Sequence, residues 1–291
     1  MKILLMLIAS GLCFSTEVDN FTDVHPPLED GREGLNALMA DHMRQAVQNA
    51  NLAGSCNPSV IEHSLIAEFG GSIGRMLWST LEKDLETADH IDRRRSAVAD
   101  SIYGGVHFWD GMCLHVGQLG FTMRVGDNII GSDKIGHFLH IGHQYYLKSY
   151  TYAGGIDAAM SYGEYTERTY YGLQTSGVYS YGDLVADLEG MHFWQRVLNT
   201  DLKKGVSPYF QCEDNIWTQI TEFDWADYVN PAWDESLNCS RFSTERMTSS
   251  VEERITQRGL TCPGKPHRCE EMIAHYGHLS PRLITPRCFQ Q

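Results

Sequence analysis

Asp133-Lys134-Ile135-Gly136-His137-Phe138 sets an acid, a lysine and a histidine into an apolar run, and Glu164, Glu167, Asp183 and Asp187 follow it. Charged groups are seldom buried unless paired, hydrogen-bonded or metal-bound, so this segment is either a buried polar network or an active site. Asp133 and His137 are four apart and share a helix face. Glu164 and Glu167 are three apart on a second helix, and Asp183 and Asp187 four apart on a third. Three helices each offering a pair of oxygen or nitrogen donors match the carboxylate–histidine centres built inside helix bundles. His140 and His143 continue from His137 in three-residue steps, but the direction drifts by roughly 60° per step, so the three histidines do not converge on one ion. Carboxylates with few histidines suit one divalent ion such as Zn, Mn or Fe rather than copper. In this reading Asp133, His137, Asp183 and Asp187 hold the metal or poise a water. Glu167 is the general base, and Lys134 stabilises developing negative charge. The same set would run metal-free acid–base chemistry if its neighbours tune one carboxylate or His137.

Each residue also has a plainer role. Ser180-x-x-Asp183 is a capping pattern, and Asp133 after Ser132 is a good first-turn acid. Asp133 would also pair with Lys134 or His137, and Glu164 and Glu167 with Arg168. Asp187 resists this treatment, because it sits one turn into a helix between Val185-Ala186 and Leu188, where capping no longer helps. A non-catalytic protein in which the same residues form a salt-bridge network fixing helix register is therefore the competing reading.

Two further groups carry metal-ligand types. Cys262, His267, Cys269, His275 and His278 would suit zinc, but the spacing matches no standard finger. A local disulfide closing the loop from Cys262 to Cys269 is the preferred reading there. His107, Asp110, His115 and Gln118 lie in a glycine- and aromatic-rich stretch and read mainly as aromatic packing. There is no Gly-x-Ser-x-Gly elbow, phosphate-binding loop, dinucleotide fingerprint or His-Glu-x-x-His.

The elements that must position these groups are mostly helices. Leu35, Leu38, Met39, Met43 and Val47 predict a helix over 33–50. Pro58 and Ser59-x-x-Glu62 start another, which Gly70-Gly71 ends, and 72–90 is amphipathic through Ile73, Met76, Leu77, Leu81, Leu85 and Ala88. Residues 101–132 read as irregular or short strands. Helices follow over 133–149, 157–172 and 181–200. After residue 205 periodicity weakens. The fold class is mainly α: a helical bundle with a Gly/aromatic-rich irregular segment and a disulfide-stapled C-terminal extension. Its organisation is a signal peptide over 1–16, a polar leader arm over 17–32, a helical core over 33–204 and an irregular, Cys-rich extension over 205–291.

Lys2 and the apolar run Ile3 to Leu12 read as a secretory leader, too short to span a bilayer. Plain secretion fits better than a lipid anchor on Cys13, because Leu12 stands where a small residue is wanted. No other apolar run approaches the ~20 residues of a membrane helix. Without the leader seven cysteines remain, which in an oxidising compartment gives up to three disulfides and one leftover thiol. Asn20-Phe21-Thr22 and Asn238-Cys239-Ser240 are formal glycosylation sequons. The 291 residues are 42% hydrophobic and 21% charged, enough for one large domain or two small ones. A net charge of −14 argues against nucleic acid as a partner.

Asp133-Lys134-x-x-His137-Phe138, then Glu167 in Glu-Arg-Thr-Tyr-Tyr-Gly, then Ser180-x-x-Asp183-x-x-x-Asp187-x-x-Gly190, resembles the YfiM-like bacterial envelope lipoproteins. The opening is also similar, more faintly, to VanZ-like membrane proteins. The likeness covers about residues 130–195. It implies a helical, envelope-associated protein in which Asp133, Lys134, His137, Glu167, Asp183 and Asp187 belong together, without naming a reaction. The functional expectation is a secreted or periplasmic hydrolase of an envelope lipid, phosphoester or glycan. The alternative is a non-catalytic envelope structural or binding protein.

Overall fold

The computed structural model describes residues 17–22, 24–70 and 80–290. The expected leader 1–16, with Cys13, lies outside the described residues, as do Ile73, Met76 and Leu77 of the helix expected over 72–90. The described part of that helix is the short Thr80–Leu85, which buries Leu81 and Leu85.

The chain is mainly α. Helix α1 (Arg32–Leu52) buries Leu35, Met39, Met43, Ala46 and Ala50 along one stripe. Helix α2 (Pro58–Glu68) begins with proline in its first turn and is capped by Asn57, whose Oδ1 accepts from the Ser59 amide at 3.0 Å. The expected Ser59–Glu62 cap does not form, because Asn57 already takes the cap position and Glu62 instead meets His143 Nε2 at 2.8 Å. Helix α3 is one run over 133–151 that changes pitch: α over Asp133–Gly136, π over His137–Ile141, α over Gly142–Tyr146 and π over Leu147–Thr151. Helix α4 (Gly155–Arg168) and helix α5 (Tyr181–Leu198) complete the bundle, and α5 is buried on nearly every side.

Two glycines decide how α3 meets α5. A Cβ on Gly190 would overlap the Phe138 carbonyl, and one on Gly142 would run into the Gly190 backbone. With no side chain at either position the two backbones touch, and His137 comes level with Asp183 and Asp187. The wide π turn breaks the regular amide ladder where His137 begins it. The Leu139 carbonyl in that turn accepts from Trp194 Nε1 at 2.9 Å.

The glycine- and aromatic-rich segment contributes strands. β1 (Arg93–Arg94), β2 (Thr122–Val125) and β3 (Asn128–Gly131) form an antiparallel sheet in that order, with Thr122 opposite Gly131. β3 passes through Ser132 directly into α3, which fixes where Asp133 and Lys134 stand. β4 (Val178–Tyr179) pairs with β7 (Arg241–Phe242), and β5 (Phe210–Glu213) with β6 (Ile216–Gln219). The β5–β6 turn has both Asp214 and Asn215 at positive φ, as a tight hairpin requires.

Residues after 205 share the main core: Tyr209, Trp225, Trp233, Leu283 and Ile284 pack in one cluster with Leu35, Phe138 and Leu184. The extension also contains helices that the periodicity did not reveal, the longest being α6 (Glu245–Gln257) and α7 (Cys269–Tyr276). The signal for α6 was present but thin. Thr244 caps it and only Met247, Val251 and Ile255 are buried, in a window otherwise polar.

Disulfides join Cys56–Cys212, Cys239–Cys262 and Cys269–Cys288. The local loop expected between Cys262 and Cys269 is therefore corrected: Cys269 opens α7, beside Cys288, while Cys262 lies against Cys239. Zinc is excluded at those two cysteines by the same bonds. The expected leftover thiol is also absent, since Cys113 is disulfide-bonded and no described cysteine is free. Neither sequon is accessible. Asn20 Nδ2 donates to Asp234 Oδ1 and the Ile129 carbonyl, and Asn238 Nδ2 to the Ala232 and Leu283 carbonyls, with both side chains buried. Among the described residues no helix is long and apolar enough to cross a membrane.

Candidate metal centre

The start of α3 delivers Lys134 into the protein with no exposed surface at all. Its Nζ meets Asp133 Oδ2 at 2.7 Å, Asp183 Oδ1 at 2.6 Å and Glu235 Oε1 at 2.6 Å. Burial alone would strip the proton from this amine, but the three carboxylates hold its pKa well above the ordinary lysine value. The ligand atoms of Asp133, Asp183 and Glu235 are close enough together to hold a cation, and the Lys134 ammonium is that cation.

One turn along α3, His137 lies between the two acids of α5. Nδ1 is 2.9 Å from Asp187 Oδ1, and Nε2 is 3.2 Å from Asp183 Oδ2. Burial opposes the imidazolium, yet Asp183 and Asp187 raise the His137 pKa well above its usual range. Asp183 is buried too, but His137 and then Lys134 keep its carboxyl below the ordinary value. Glu167, at the end of α4, completes a second group. Ligand atoms of His137, Glu167 and Asp183 lie within 4.8 Å of one another, so these buried side chains can hold a metal ion.

The capping pattern at Ser180 explains part of this arrangement. Ser180 Oγ accepts from the Asp183 amide at 3.1 Å, as a cap should. The Ser180 amide in turn donates to Glu167 Oε2 at 3.0 Å rather than to Asp183. Asp183 is thereby left to face Lys134 and His137, and Glu167 is anchored by one oxygen.

Sequence reasoning missed two members. Glu235 follows Trp233 and Asp234 in the loop that packs under α5, and Glu17 arrives from the N-terminal segment. Residues 17–21, expected in a polar arm, are buried: the Gly120 amide donates to the Glu17 carbonyl at 2.8 Å, and Asp19 Oδ2 accepts from the Ile102 amide at 2.9 Å. For Glu235 the available signal was the pair of acids that follows Trp233, and for Glu17 there was none.

The charge balance is uneven. Lys134 and His137 face the buried carboxyls of Glu17, Asp133, Glu167, Asp183, Asp187 and Glu235. Burial, with neighbouring carboxylates, pushes Asp133 up to about 7 and raises Glu167 and Glu17 well above the carboxylate range. Burial outweighs the pull of His137 to set Asp187 at about 6. Among the described residues, the buried Glu167 Oε1, Asp187 Oδ2 and Tyr145 Oη find no hydrogen-bond partner. Buried polar atoms are normally satisfied, so an acid-rich site with such atoms fits an additional cation.

The remaining candidates stand elsewhere. Glu164 is held by Arg282 Nε at 2.5 Å. His140 Nε2 is 3.1 Å from the Phe69 carbonyl, and His143 turns to Glu62. Asp110 takes a forked pair from Arg246, and Gln118 accepts from Arg95 at 3.2 Å. No family model, curated protein or solved structure matches this chain.

Proposed function

We propose that this protein is a metal-dependent hydrolase acting outside the cytoplasm on a component of the cell envelope. His137, Glu167 and Asp183 hold one divalent ion, and Asp187 orients His137. The observation that carries the reading is the convergence of these three side chains in a site with more buried carboxyls than cationic groups. One nitrogen and two carboxylates suit Zn, Mn or Fe. When bound, such an ion acts as a Lewis acid and lowers the pKa of a water at neutral pH. Asp187 fixes the ring through Nδ1, the support that metal-binding histidines usually have. Lys134, fully enclosed by three carboxylates, neutralises and positions Asp183 rather than meeting substrate. The extracellular setting draws support from the disulfides, the N-terminal leader and the resemblance of residues 130–195 to envelope proteins.

The test is elemental analysis of the purified chain beside His137→Ala and Asp183→Asn, followed by chromogenic phosphoester and glycoside assays with and without added metal. About one equivalent of metal, lost in both variants, together with metal-dependent turnover, supports the reading. The enclosure of Lys134 favours a second one, a salt-bridge network that fixes the register of α3 against α5. Wild type free of metal and inert with added Zn, Mn or Fe, with a large fall in melting temperature on Lys134 substitution, would select it.

A further inference from the structure

Tyr145 follows His137 in α3 by about two turns, and its side chain is fully enclosed. The hydroxyl reaches across to α4 and rests on Gly163, where a Cβ would overlap Oη. Glycine at this position makes room for the phenol. A hydroxyl buried there needs a partner, because burial without one is costly. Among the described residues Tyr145 Oη finds none.

Two carboxyl oxygens share that lack. Glu167 holds the Ser180 amide with Oε2, and Asp187 holds His137 Nδ1 with Oδ1. Glu167 Oε1 and Asp187 Oδ2 are left buried and unpartnered among the described residues. Helix direction brings Tyr145 and Glu167 together. α3 and α4 run antiparallel across the short link 152–154: Ser149 Oγ donates to the Gly155 carbonyl at 3.0 Å, and Lys148 Nζ lies 4.7 Å from the centre of the Tyr162 ring. Side chains lean toward the N-terminus of their own helix. Tyr145 therefore leans back toward His137, and Glu167, one turn beyond Gly163 on the same face of α4, leans back toward the Tyr145 hydroxyl. Burial, and then the charges of Asp187 and Glu167, push the Tyr145 phenol well above its ordinary range, so it keeps its proton and acts as a donor.

We propose that Tyr145 Oη, Glu167 Oε1 and Asp187 Oδ2 bind one ordered water where α3, α4 and α5 meet, and that Tyr145 is the residue that orients it. One phenol donor and two carboxylate acceptors match one lone pair and the two protons of a water. A buried water makes about three hydrogen bonds to groups that would otherwise lack partners, which is the number these atoms offer. Its second lone pair stays free for the side of His137, Glu167 and Asp183. The inference rests on the hydrolase reading for the use of this water: there it is the hydrolytic one, and Tyr145 is a positioning residue that fixes its direction.

The experiment is a high-resolution crystal structure of the purified chain, without metal and with added zinc, beside Tyr145→Phe, which fills the same space and removes Oη alone. Wild type should show one density peak within hydrogen-bond distance of all three atoms, without anomalous signal at the zinc edge, and Tyr145→Phe should lose it. Tyr145→Phe should also melt about 2–4 °C lower, because its hydroxyl had a partner to lose. On a chromogenic substrate that wild type turns over, kcat should fall at least about tenfold, with KM and zinc affinity unchanged to within about twofold. No peak, a peak touching fewer than three of the atoms, zinc signal in the peak, or a variant that melts at or above wild type overturns the water site. An unchanged kcat in a variant that has lost the peak overturns the positioning role. A wild type that takes up no metal and turns nothing over removes the hydrolase reading, while the peak and the melting shift stand.

Discussion

Asp187 Oδ1 accepts a hydrogen bond from His137 Nδ1 at 2.9 Å, across the contact between α5 and α3, with Asp187 completely buried. In a neutral, metal-bound ring this bond would keep the proton on Nδ1 and leave Nε2 directed at the Asp183 side. If the site holds a divalent ion, Asp187→Asn removes the acceptor charge without removing a ligand. Metal affinity should then fall by about 10–100-fold, measured by competition with a chromogenic chelator, while His137→Ala binds no stoichiometric metal. Equal affinity in wild type and Asp187→Asn would show that His137 is not a ligand.

Among the described residues, Lys134 is the ammonium that Asp133, Asp183 and Glu235 share. Replacing it by Met keeps the volume and leaves three carboxylates in a site closed to water. Breaking a buried ion pair from one side typically costs about 3–5 kcal/mol. Lys134→Met should lower stability by that amount in urea titrations, and Lys134→Met/Glu235→Gln should recover part of it by removing one of the stranded charges. A single substitution without measurable effect would mean that water reaches Nζ.

Much of this site was legible in the sequence because its parts are local. Asp133, Lys134 and His137 lie within one turn, Asp183 and Asp187 within another, and helical periodicity brings each set onto one face. Glu167 was visible by its spacing from Glu164, although only the fold separates the pair, sending Glu164 to Arg282. Glu17 and Glu235 were not legible. Each reaches the cluster through long-range packing of a segment without regular structure, and no spacing rule encodes that. The same limit hid the disulfide pairing, which depends on where Cys239 and Cys288 are carried by the fold. The π turn at His137 was equally hidden, since apolar periodicity does not distinguish it from an α turn.

Gly190 is where the sequence permits the α3–α5 contact. A methyl group there would meet the Phe138 carbonyl, which is helix backbone and cannot turn aside. Gly190→Ala should therefore destabilise, against the usual gain of alanine inside a helix, by about 1–3 kcal/mol. If the site holds a divalent ion, the substitution should also weaken its binding by shifting Asp183 and Asp187 away from His137. Thermal unfolding by circular dichroism and chelator competition check the two effects. A stabilised variant with unchanged metal affinity would show that the helices can separate without loss.

Glu189 gives the pH dependence away from the candidate metal trio. Burial alone would raise its pKa, but His192 Nδ1 at 3.0 Å, the His275 ring and Tyr276 Oη at 3.0 Å hold it down at about 2, against an ordinary 4.5. A carboxyl with a depressed folded-state pKa contributes stability that is fully present above the unfolded value and is lost as pH falls through the folded one. The window therefore lies between about pH 4.5 and pH 2. The shift corresponds to roughly 3 kcal/mol at 1.36 kcal/mol per unit, and the group is buried, so solvent screening removes little of it. Between pH 5 and 2 the wild type should lose about that much more stability than Glu189→Gln, which cannot titrate. Urea midpoints measured at half-unit pH steps give the two slopes. Parallel slopes would mean that the His192 and Tyr276 contacts do not favour the ionised carboxylate, and the acid sensitivity would then have to come from elsewhere, such as the Arg32–Asp224 pair, where Asp224 is also held below its ordinary value.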